Sequence, residues 1–321
     1  MKKKNLPARP RRLNLGSTAR KAIAAAIVFI APWTSAHAHG IAGNRYFPGT
    51  LTFDDPAVAD EFLVNTLRTS TLQSGGEQRE NDLGVSGARL LTSGWALGFD
   101  LGRSRIRGGN QADANQHSGD VFVKAELHRD DLNESLVSGS LGYGIVSTKL
   151  PGLGNSSRHV VLPSITFGKG FGNVPNSLDW LRPFGIAGSV AAELPTGSSS
   201  RVGSAAAAAQ DVATLHWGFA LEYSMLYRSE RFTPGKLPAE EPLHQFVPLI
   251  EFQFDSPRGG KTTGTMNPGI SYVAQTWQFA VEAVMPIVGD ASKRPASARV
   301  QLLFFLDDLM PSVFGKPLLS R

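Results

Sequence analysis

The sequence predicts an all-β chain whose strands close into a transmembrane antiparallel up-and-down β-barrel of about 12 strands. Three observations predict it. From about Glu61 onward, strand-length runs alternate an apolar face with a face of small or polar residues. Most runs exceed the ~5–6 residues usual in soluble sheets and approach the ~9–11 that cross a bilayer on a tilt. An export leader precedes them.

The leader has three parts. A basic stretch holds Lys2, Lys3, Lys4, Arg9, Arg11, Arg12, Arg20 and Lys21. An apolar run follows from Ala22 to Trp33. Then Thr34-Ser35-Ala36-His37-Ala38 sets small residues at the −3 and −1 positions of a cut after Ala38. The apolar run is short for a membrane span of ~20 residues, so residues 1–38 read as a cleaved signal peptide. Arg11-Arg12 hints at a twin-arginine signal, but Leu13-Asn14-Leu15 matches it poorly and the general secretory route fits better.

The leader also explains the charge. The 321-residue chain is net +5, with 32 Lys and Arg against 27 Asp and Glu. Removing the leader's eight basic residues leaves 24 against 27, so the mature chain is net acidic and nucleic-acid binding loses its support. There is no cysteine, hence no disulfide and no lipid-attachment residue at the cut. The setting this implies is the bacterial cell envelope.

Residues 39–60 (HGIAGNRYFPGTLTFDDPAVAD) carry Gly and Pro punctuation without a sustained period. They read as an N-terminal periplasmic or lumen-entering segment. The barrel is placed at 61–307 and a C-terminal tail at 308–321.

The strands follow in order. Phe62–Leu72 alternates weakly, and Asp82–Thr92 leads into a tight Ser93-Gly94 turn. The third run is clean, with Trp95, Leu97, Phe99 and Leu101 opposite Ala96, Gly98, Asp100 and Gly102. Arg103–Gly119, polar and Gly-rich, reads as a loop. The fourth run sets Val121, Val123, Ala125 and Leu127 against Lys124, Glu126 and His128. The fifth sets Leu141, Tyr143 and Ile145 against Ser140, Gly142 and Gly144, and Leu150–Ser157 reads as a loop. The sixth, around Val161–Phe167, contains Pro163, which cannot donate to a ladder. The seventh sets Phe184, Ile186, Val190 and Ala192 against Gly185, Ala187, Ser189, Ala191 and Glu193. Thr196–Ala209 is low-complexity loop.

The eighth run, Val212–Tyr227, shows the pattern best. Leu215, Trp217, Phe219, Leu221, Tyr223, Met225 and Tyr227 form one face; Thr214, His216, Gly218, Ala220, Glu222 and Ser224 form the other. After a Pro- and Glu-rich loop, Ser229–Pro242, the ninth run sets Phe246, Ile250, Phe252 and Phe254 against Glu251, Gln253 and Asp255. The tenth lies around Pro268, Ile270 and Tyr272. The eleventh sets Trp277, Phe279, Val281 and Ala283 against Gln278, Ala280 and Glu282. The twelfth sets Ala298, Val300, Leu302, Phe304 and Leu306 against Arg299, Gln301, Leu303 and Phe305. Short and long links alternate loosely, as they do in barrels with tight periplasmic turns and longer outer loops.

A soluble sandwich is the competing architecture. Its polar faces would meet bulk water, and Lys and Thr would outnumber Gly and Ala there. The faces here are small with scattered charges, which suits a narrow lumen. Trp95, Trp217, Tyr223, Tyr227, Tyr272 and Trp277 stand near the ends of apolar faces, where interfacial belts place such rings.

The expected lumen-lining candidates are Asp100, Lys124, Glu126, Glu193, His216, Glu222, Glu251, Glu282 and Arg299. Ionisable groups at membrane depth are costly unless they face water or a partner. Glu222, Glu251 and Glu282 with Lys124 and Arg299 therefore either set the selectivity of a passage or pair as salt bridges that fill a closed lumen. His216 and His128 lack the convergent ligands a metal needs, so no metal and no cofactor is expected. Ser224 and His216 share a strand but stand roughly 26 Å apart along it, too far for an activated serine. No P-loop, dinucleotide fingerprint or HExxH occurs. No catalytic residue is expected, and the chain does not read as an enzyme; an envelope lipid hydrolase is the weakest alternative.

Several stretches then stand out together. They are His39-Gly40, Asn44-Arg45-Tyr46-Phe47-Pro48-Gly49-Thr50-Leu51-Thr52-Phe53-Asp54-Asp55-Pro56, Phe246-Val247-Pro248-Leu249-Ile250-Glu251-Phe252, Thr262-Thr263-Gly264-Thr265-Met266-Asn267-Pro268-Gly269-Ile270, Phe279-Ala280-Val281-Glu282-Ala283 and Phe304-Phe305-Leu306-Asp307-Asp308-Leu309. With them the mature chain resembles a proteobacterial family of transporter-like outer-membrane β-barrels related to the outer-membrane proteins of the phenol meta-degradation pathway. The resemblance is strongest after Leu243. It implies an outer-membrane barrel that carries small, weakly polar or aromatic compounds, with membrane lipid and the barrel-assembly machinery as partners. A structural or surface-interaction barrel with a closed lumen is the alternative. Such barrels often end on an aromatic residue read during assembly. Here Asp307–Arg321 follows the last strand, so that signal would be internal, near Phe304 and Phe305.

Overall fold

The structure, a computed structural model, describes residues 40–73, 76–108, 114–150, 154–196, 212–225, 227, 242–289, 296–314 and 316–319. The signal peptide and its cut after Ala38 lie outside the described residues, as do most of the two expected loops at 196–209 and 229–242.

Two short strands, β1 (Ile41–Ala42) and β2 (Arg45–Tyr46), pair as a small hairpin. Twelve longer strands form one closed antiparallel barrel. They are β3 (Glu61–Gln73), β4 (Gly76–Thr92), β5 (Trp95–Gly108), β6 (Ala114–Asp130), β7 (Ser135–Leu150), β8 (Gly154–Gly170), β9 (Phe184–Pro195), β10 (Thr214–Tyr223), β11 (Phe246–Pro257), β12 (Thr263–Val273), β13 (Trp277–Val288) and β14 (Ser297–Phe305). Each strand pairs with its sequence neighbour, and β14 closes onto β3 through pairs such as Phe304↔Phe62 and Val300↔Thr66. Closure removes every free sheet edge, so the backbone polar groups of the ladder find partners within the wall over most of its length.

An even strand number returns both ends of the barrel to one rim. This terminal rim carries Glu61, Phe305, the links 93–94, 131–134, 171–183 and 274–276, and the end of β10 and start of β11.

The apolar faces point outward. Leu215 is 43 % exposed, Trp217 37 % and Leu221 42 %, whereas Glu222 and Glu251, in or beside the same strand, are 1 % and 0 % exposed. A water-soluble protein has the opposite arrangement. Leu97, Phe99, Leu101, Val121, Leu141, Tyr143, Ile165 and Phe279 continue the exposed apolar surface around the wall. Rings gather at the terminal rim, where Phe184 meets Tyr223 at 5.0 Å, Phe246 meets Tyr272 at 5.1 Å and Tyr272 meets Trp277 at 5.5 Å between centroids. On β10 and β11 the outward rings stack across the ladder: Trp217 on Phe254 at 4.2 Å and Phe219 on Phe252 at 4.9 Å.

Several local expectations are corrected. Arg103–Gly119 is not a loop throughout: β5 runs on to Gly108 and β6 begins at Ala114. Leu150–Ser157 is likewise mostly strand, with β7 ending at Leu150 and β8 starting at Gly154. These polar ends have no apolar face against lipid, so alternation does not mark them. The eighth run is shorter than expected. β10 stops at Tyr223, and Tyr227 leaves the wall to donate its hydroxyl to Glu134 Oε1 at 2.6 Å; it is not a belt residue. Links do not sort into tight turns at one rim and long loops at the other, because 171–183 shares the terminal rim with the tight 93–94 turn.

Pro163 does sit in a strand, opposite Leu141 of β7. The β8–β9 ladder passes from Val161↔Leu194 to Ser164↔Ala191 without pairing in between. The proline therefore occupies a gap where no donor is asked of it. A bulge between Glu126 and His128 shifts the β6–β7 register, and His128, expected on the inner face with Glu126, is exposed.

The lumen is asymmetric. Inward positions of β10 to β14 carry Glu222, Glu251, Asn267, Gln278, Glu282, Arg299 and Gln301. Inward positions of β4 to β9 are mostly small: Ser86, Gly98, Gly102, Ser138, Ser140, Gly142, Ser164, Ser189 and Ala191. The expected small inner face holds for that half only. Residues 40–60 lie against the large polar wall, with Arg45, Phe47, Leu51 and Ala59 buried.

Candidate functional site

The site is the lumen, and its centre is residues 45–56. Hydrophobic contacts set this segment in place: Ile41 and Tyr46 join Val247, Val273, Leu303 and Phe305; Phe47 joins Leu136; Leu51 joins Leu249 and Ala280. The wall then binds its backbone group by group.

Glu251 does most. Its Oε1 accepts from the Leu51 amide at 2.8 Å and its Oε2 from the Thr52 amide at 2.9 Å, and the Thr52 hydroxyl donates to Oε2 as well. Two consecutive backbone donors on one carboxylate form a charge-assisted clamp. Gln278 holds the preceding turn with both ends of its amide. Oε1 accepts from Tyr46 Oη at 2.8 Å and Gly49 N at 3.1 Å, and Nε2 donates to Gly49 O at 2.8 Å. Gly49 is required by closeness, since a Cβ there would come within 2.9 Å of Leu303 Cδ2. Gln301 Nε2 donates to Thr50 O at 2.6 Å, and Arg299 Nη1 bridges Leu51 O at 3.2 Å and Glu282 Oε1 at 2.8 Å. From the opposite wall, Lys124 Nζ donates to Asp55 O at 2.7 Å and pairs with Asp54 at 2.9 Å, and Ser138 donates to Pro56 O at 2.6 Å.

Arg45 anchors the other end. Its guanidinium donates to Pro183 O and lies 3.7 Å from Glu222 Oε2, both side chains fully buried. Among the described residues the Glu222 carboxylate accepts no hydrogen bond, so Arg45 is its compensating charge. Gly185 makes room: a Cβ there would stand 2.4 Å from Arg45 Nη2. Burial pulls the Arg45 guanidinium down from its ordinary value, while Glu222, Glu134 and Tyr227 counter it. Burial likewise lifts Asp55 to about 6, against the downward pull of Lys124. Asp60 closes the segment, its Oδ1 accepting from Leu90 N at 2.6 Å and its Oδ2 paired with Arg89 at 2.5 Å. Arg89 also donates to the carbonyls of Val313, Phe314 and Lys316, which ties the C-terminal tail to the same rim.

The sequence-expected candidates thus separate into groups. Lys124, Glu222, Glu251, Glu282 and Arg299 come together around residues 45–55. Glu126 pairs with Arg129 at 2.7 Å near the terminal rim, Glu193 pairs with Arg158, and His216 pairs with Asp255 at 2.7 Å. Asp100 stands apart from these and faces open space. Residues that sequence reasoning passed over are Arg45, Asp54, Asp55, Gln278 and Gln301, with Asp120 on the wall. Asp120 and Gln278 fall on the small or polar phase of their runs, which was the available signal.

The open space is a cavity of about 450 Å³ between residues 50–54 and the small-residue wall. Asn65, Ser86, Asp100, Asp120, Gly142 and Ser189 face it, with Phe53 and Phe122 among its aromatic members. Among the described residues no three His, Asp or Glu side chains are grouped to hold a metal ion.

No protein-family model and no curated relative matches the sequence. Similarity to solved structures is of fold. A structure described as KdgM porin aligns at 12 % identity over 76 % of this chain and 98 % of its own, with a TM-score of 0.40. The translocator domain of autotransporter NalP from Neisseria meningitidis aligns at 14 % identity over 76 % and 88 %, with a TM-score of 0.45. LpxR from Salmonella typhimurium aligns at 8 % identity over 76 % and 99 %, with a TM-score of 0.45.

Proposed function

We propose that the protein is a bacterial outer-membrane barrel that passes small compounds through its lumen, with residues 40–56 as the element that closes the passage. The supporting observation is the cavity of about 450 Å³ left between that segment and the small-residue wall. A barrel filled only for stability would pack both walls onto its filling along their whole length; here the part of the small-residue wall around Ser86, Asp100, Asp120, Gly142 and Ser164 borders open space. The segment's backbone is held by hydrogen bonds that water can replace, although its apolar contacts and the Arg45–Glu222 pair must be released with them.

On this reading the leader is removed after Ala38, the barrel-assembly machinery inserts the chain from the periplasm, and the terminal rim stays there. The outward leucines, valines and rings face outer-membrane lipid. The role is transport and not catalysis. The aromatic or weakly polar character of the permeant is carried by the family resemblance of 39–56 and of the C-terminal strands. The number and quality of the bonds on residues 45–56 favour the second reading, a structural barrel whose lumen stays shut. Reconstitution into planar bilayers separates the two. Stepwise conductance that rises in Glu251→Gln supports a passage; a silent bilayer from heat-modifiable, correctly inserted protein, wild type and variant alike, supports the shut barrel.

A further inference from the structure

The acids of this lumen are not treated alike. Glu126, Glu193, Glu222 and Glu282 each have an arginine partner, Asp54 and Asp55 share Lys124, and Asp255 has His216. Glu251 has two backbone N–H donors. Glu61, Asp100 and Asp120 have no cationic side chain within 4 Å among the described residues, and all three border the cavity.

Their placement sharpens the contrast. Asp100 and Asp120 are directly opposed on β5 and β6, and like charges directly opposite on neighbouring strands are destabilising. The next strand gives way to one of them: a Cβ on Gly144 would lie 2.6 Å from Asp120 Cβ, and one on Gly142 would lie 3.4 Å from Asp120 Oδ2. The wall is thus cut back where the carboxylate stands, which leaves it open to the cavity. No lysine or arginine lines the cavity, and its single histidine is already bonded to Asp255. Lys124 is turned from it toward Asp54 and the Asp55 carbonyl.

The rest of the lining joins small polar groups, such as Ser86, Ser140 and Asn65, to an apolar part. Phe53 projects from the segment, Phe122 from β6, and Leu63 and Leu162 complete this side. Ring faces attract organic cations, and a volume of about 450 Å³ is that of a small-molecule pocket. A compact metal ion is a poor fit, since the acids are not grouped as ligands.

We propose that this cavity is a binding site for a small organic cation with a ring-sized apolar body, its ammonium facing Glu61, Asp100 and Asp120 and its body against Phe53 and Phe122. The proposal deepens the passage reading by giving the solute a charge and a shape, and it rests on that reading only in requiring that solute reach the lumen.

The test uses the full-length mature protein in detergent and three probes of equal size: 3-phenylpropylammonium, neutral 3-phenylpropanol and anionic phenylacetate. Binding is measured by titration calorimetry at low salt. The cation is expected to bind at least about tenfold more tightly than either of the others, and the Asp100→Asn, Asp120→Asn double variant is expected to lose about tenfold or more of that affinity, a factor that corresponds to ~1.4 kcal/mol. Heat-modifiable mobility checks that the variant is folded; if the double variant fails that check, Asp120→Asn alone is read instead. Equal binding of the three probes to the wild type overturns the proposal, as does a cation preference that the aspartate variants leave unchanged. The two readings fail separately. A silent bilayer removes the passage but not the measured cation preference, and equal probe binding in a conducting barrel removes the cation site but not the passage.

Discussion

Glu251→Gln is the most informative single change, because one carboxylate meets three donors of the lumenal segment. In the wild type Oε1 and Oε2 accept from the amides of Leu51 and Thr52 at 2.8 and 2.9 Å, and the Thr52 hydroxyl adds a third bond. Hydrogen bonds to a charged group contribute about 1.5–3 kcal/mol, against about 0.5–1.5 for a neutral pair. Glutamine keeps one acceptor oxygen and turns an NH₂ toward an N–H, so one bond is weakened and at least one is lost. The docked segment is then destabilised by about 2–4 kcal/mol. With a factor of ten for every ~1.4 kcal/mol, the undocked population rises roughly 30- to 700-fold. Amide hydrogen exchange in detergent reads this directly, since a local opening exchanges in proportion to its population. The Leu51 and Thr52 amides should exchange faster by that factor while β3–β14 stay protected. Unchanged exchange at both amides in a folded variant would refute the clamp, and with it the idea that wall carboxylates hold the lumen closed.

Other outcomes follow from the same geometry. Arg45→Ala leaves Glu222 buried without its compensating charge and should weaken the segment's docking by about 3–5 kcal/mol, read as protease cleavage within 40–56; Arg45→Ala with Glu222→Gln should recover most of it. Asp55 has its folded value lifted to about 6, chiefly by burial, above an unfolded value near ~3.9. Docking therefore favours the protonated acid: the contribution is fully present below about pH 4 and is lost as pH rises through about 6. Exchange within 50–57 should accelerate across that window, and Asp55→Asn should flatten the dependence. On the outer face, Phe219→Arg, near the middle of β10, should cost about 2–4 kcal/mol of folding stability in lipid vesicles, whereas a wholly unchanged unfolding midpoint would mean that β10 does not face lipid.

Much of the barrel was legible because lipid enforces alternation. On a strand such as β10, every outward residue must be apolar and every inward one must fit a narrow lumen, so Leu215 to Tyr223 declares both faces without further context. The same period put Glu222, Glu251, Glu282 and Arg299 on the inner side. Where lipid exerts no demand, the signal ended: the polar ends of β5 and β6 past Gly102 and before Asp120 carry no apolar face and were read as loop. The partners of the inward charges were not legible for another reason. Glu251 meets Leu51 and Thr52 across about two hundred residues of chain, and a backbone amide bonded to a carboxylate leaves no mark on the residue type that supplies it. Residues 40–60 have no period because they belong to no ladder beyond a two-residue hairpin. Arg45 was visible as a residue of the resembled stretch, but its pairing with Glu222 depends on Gly185 clearing its path, which only the folded wall reveals.

The central claim is that residues 40–56 close a lumen that would otherwise conduct. Single-channel recording of the wild type beside a variant lacking 40–56 tests it most directly, both proteins first shown to be heat-modifiable barrels. Rare, brief openings in the wild type and long-lived conductance steps in the shortened protein are the predicted result. A correctly folded shortened barrel that stays electrically silent would contradict it.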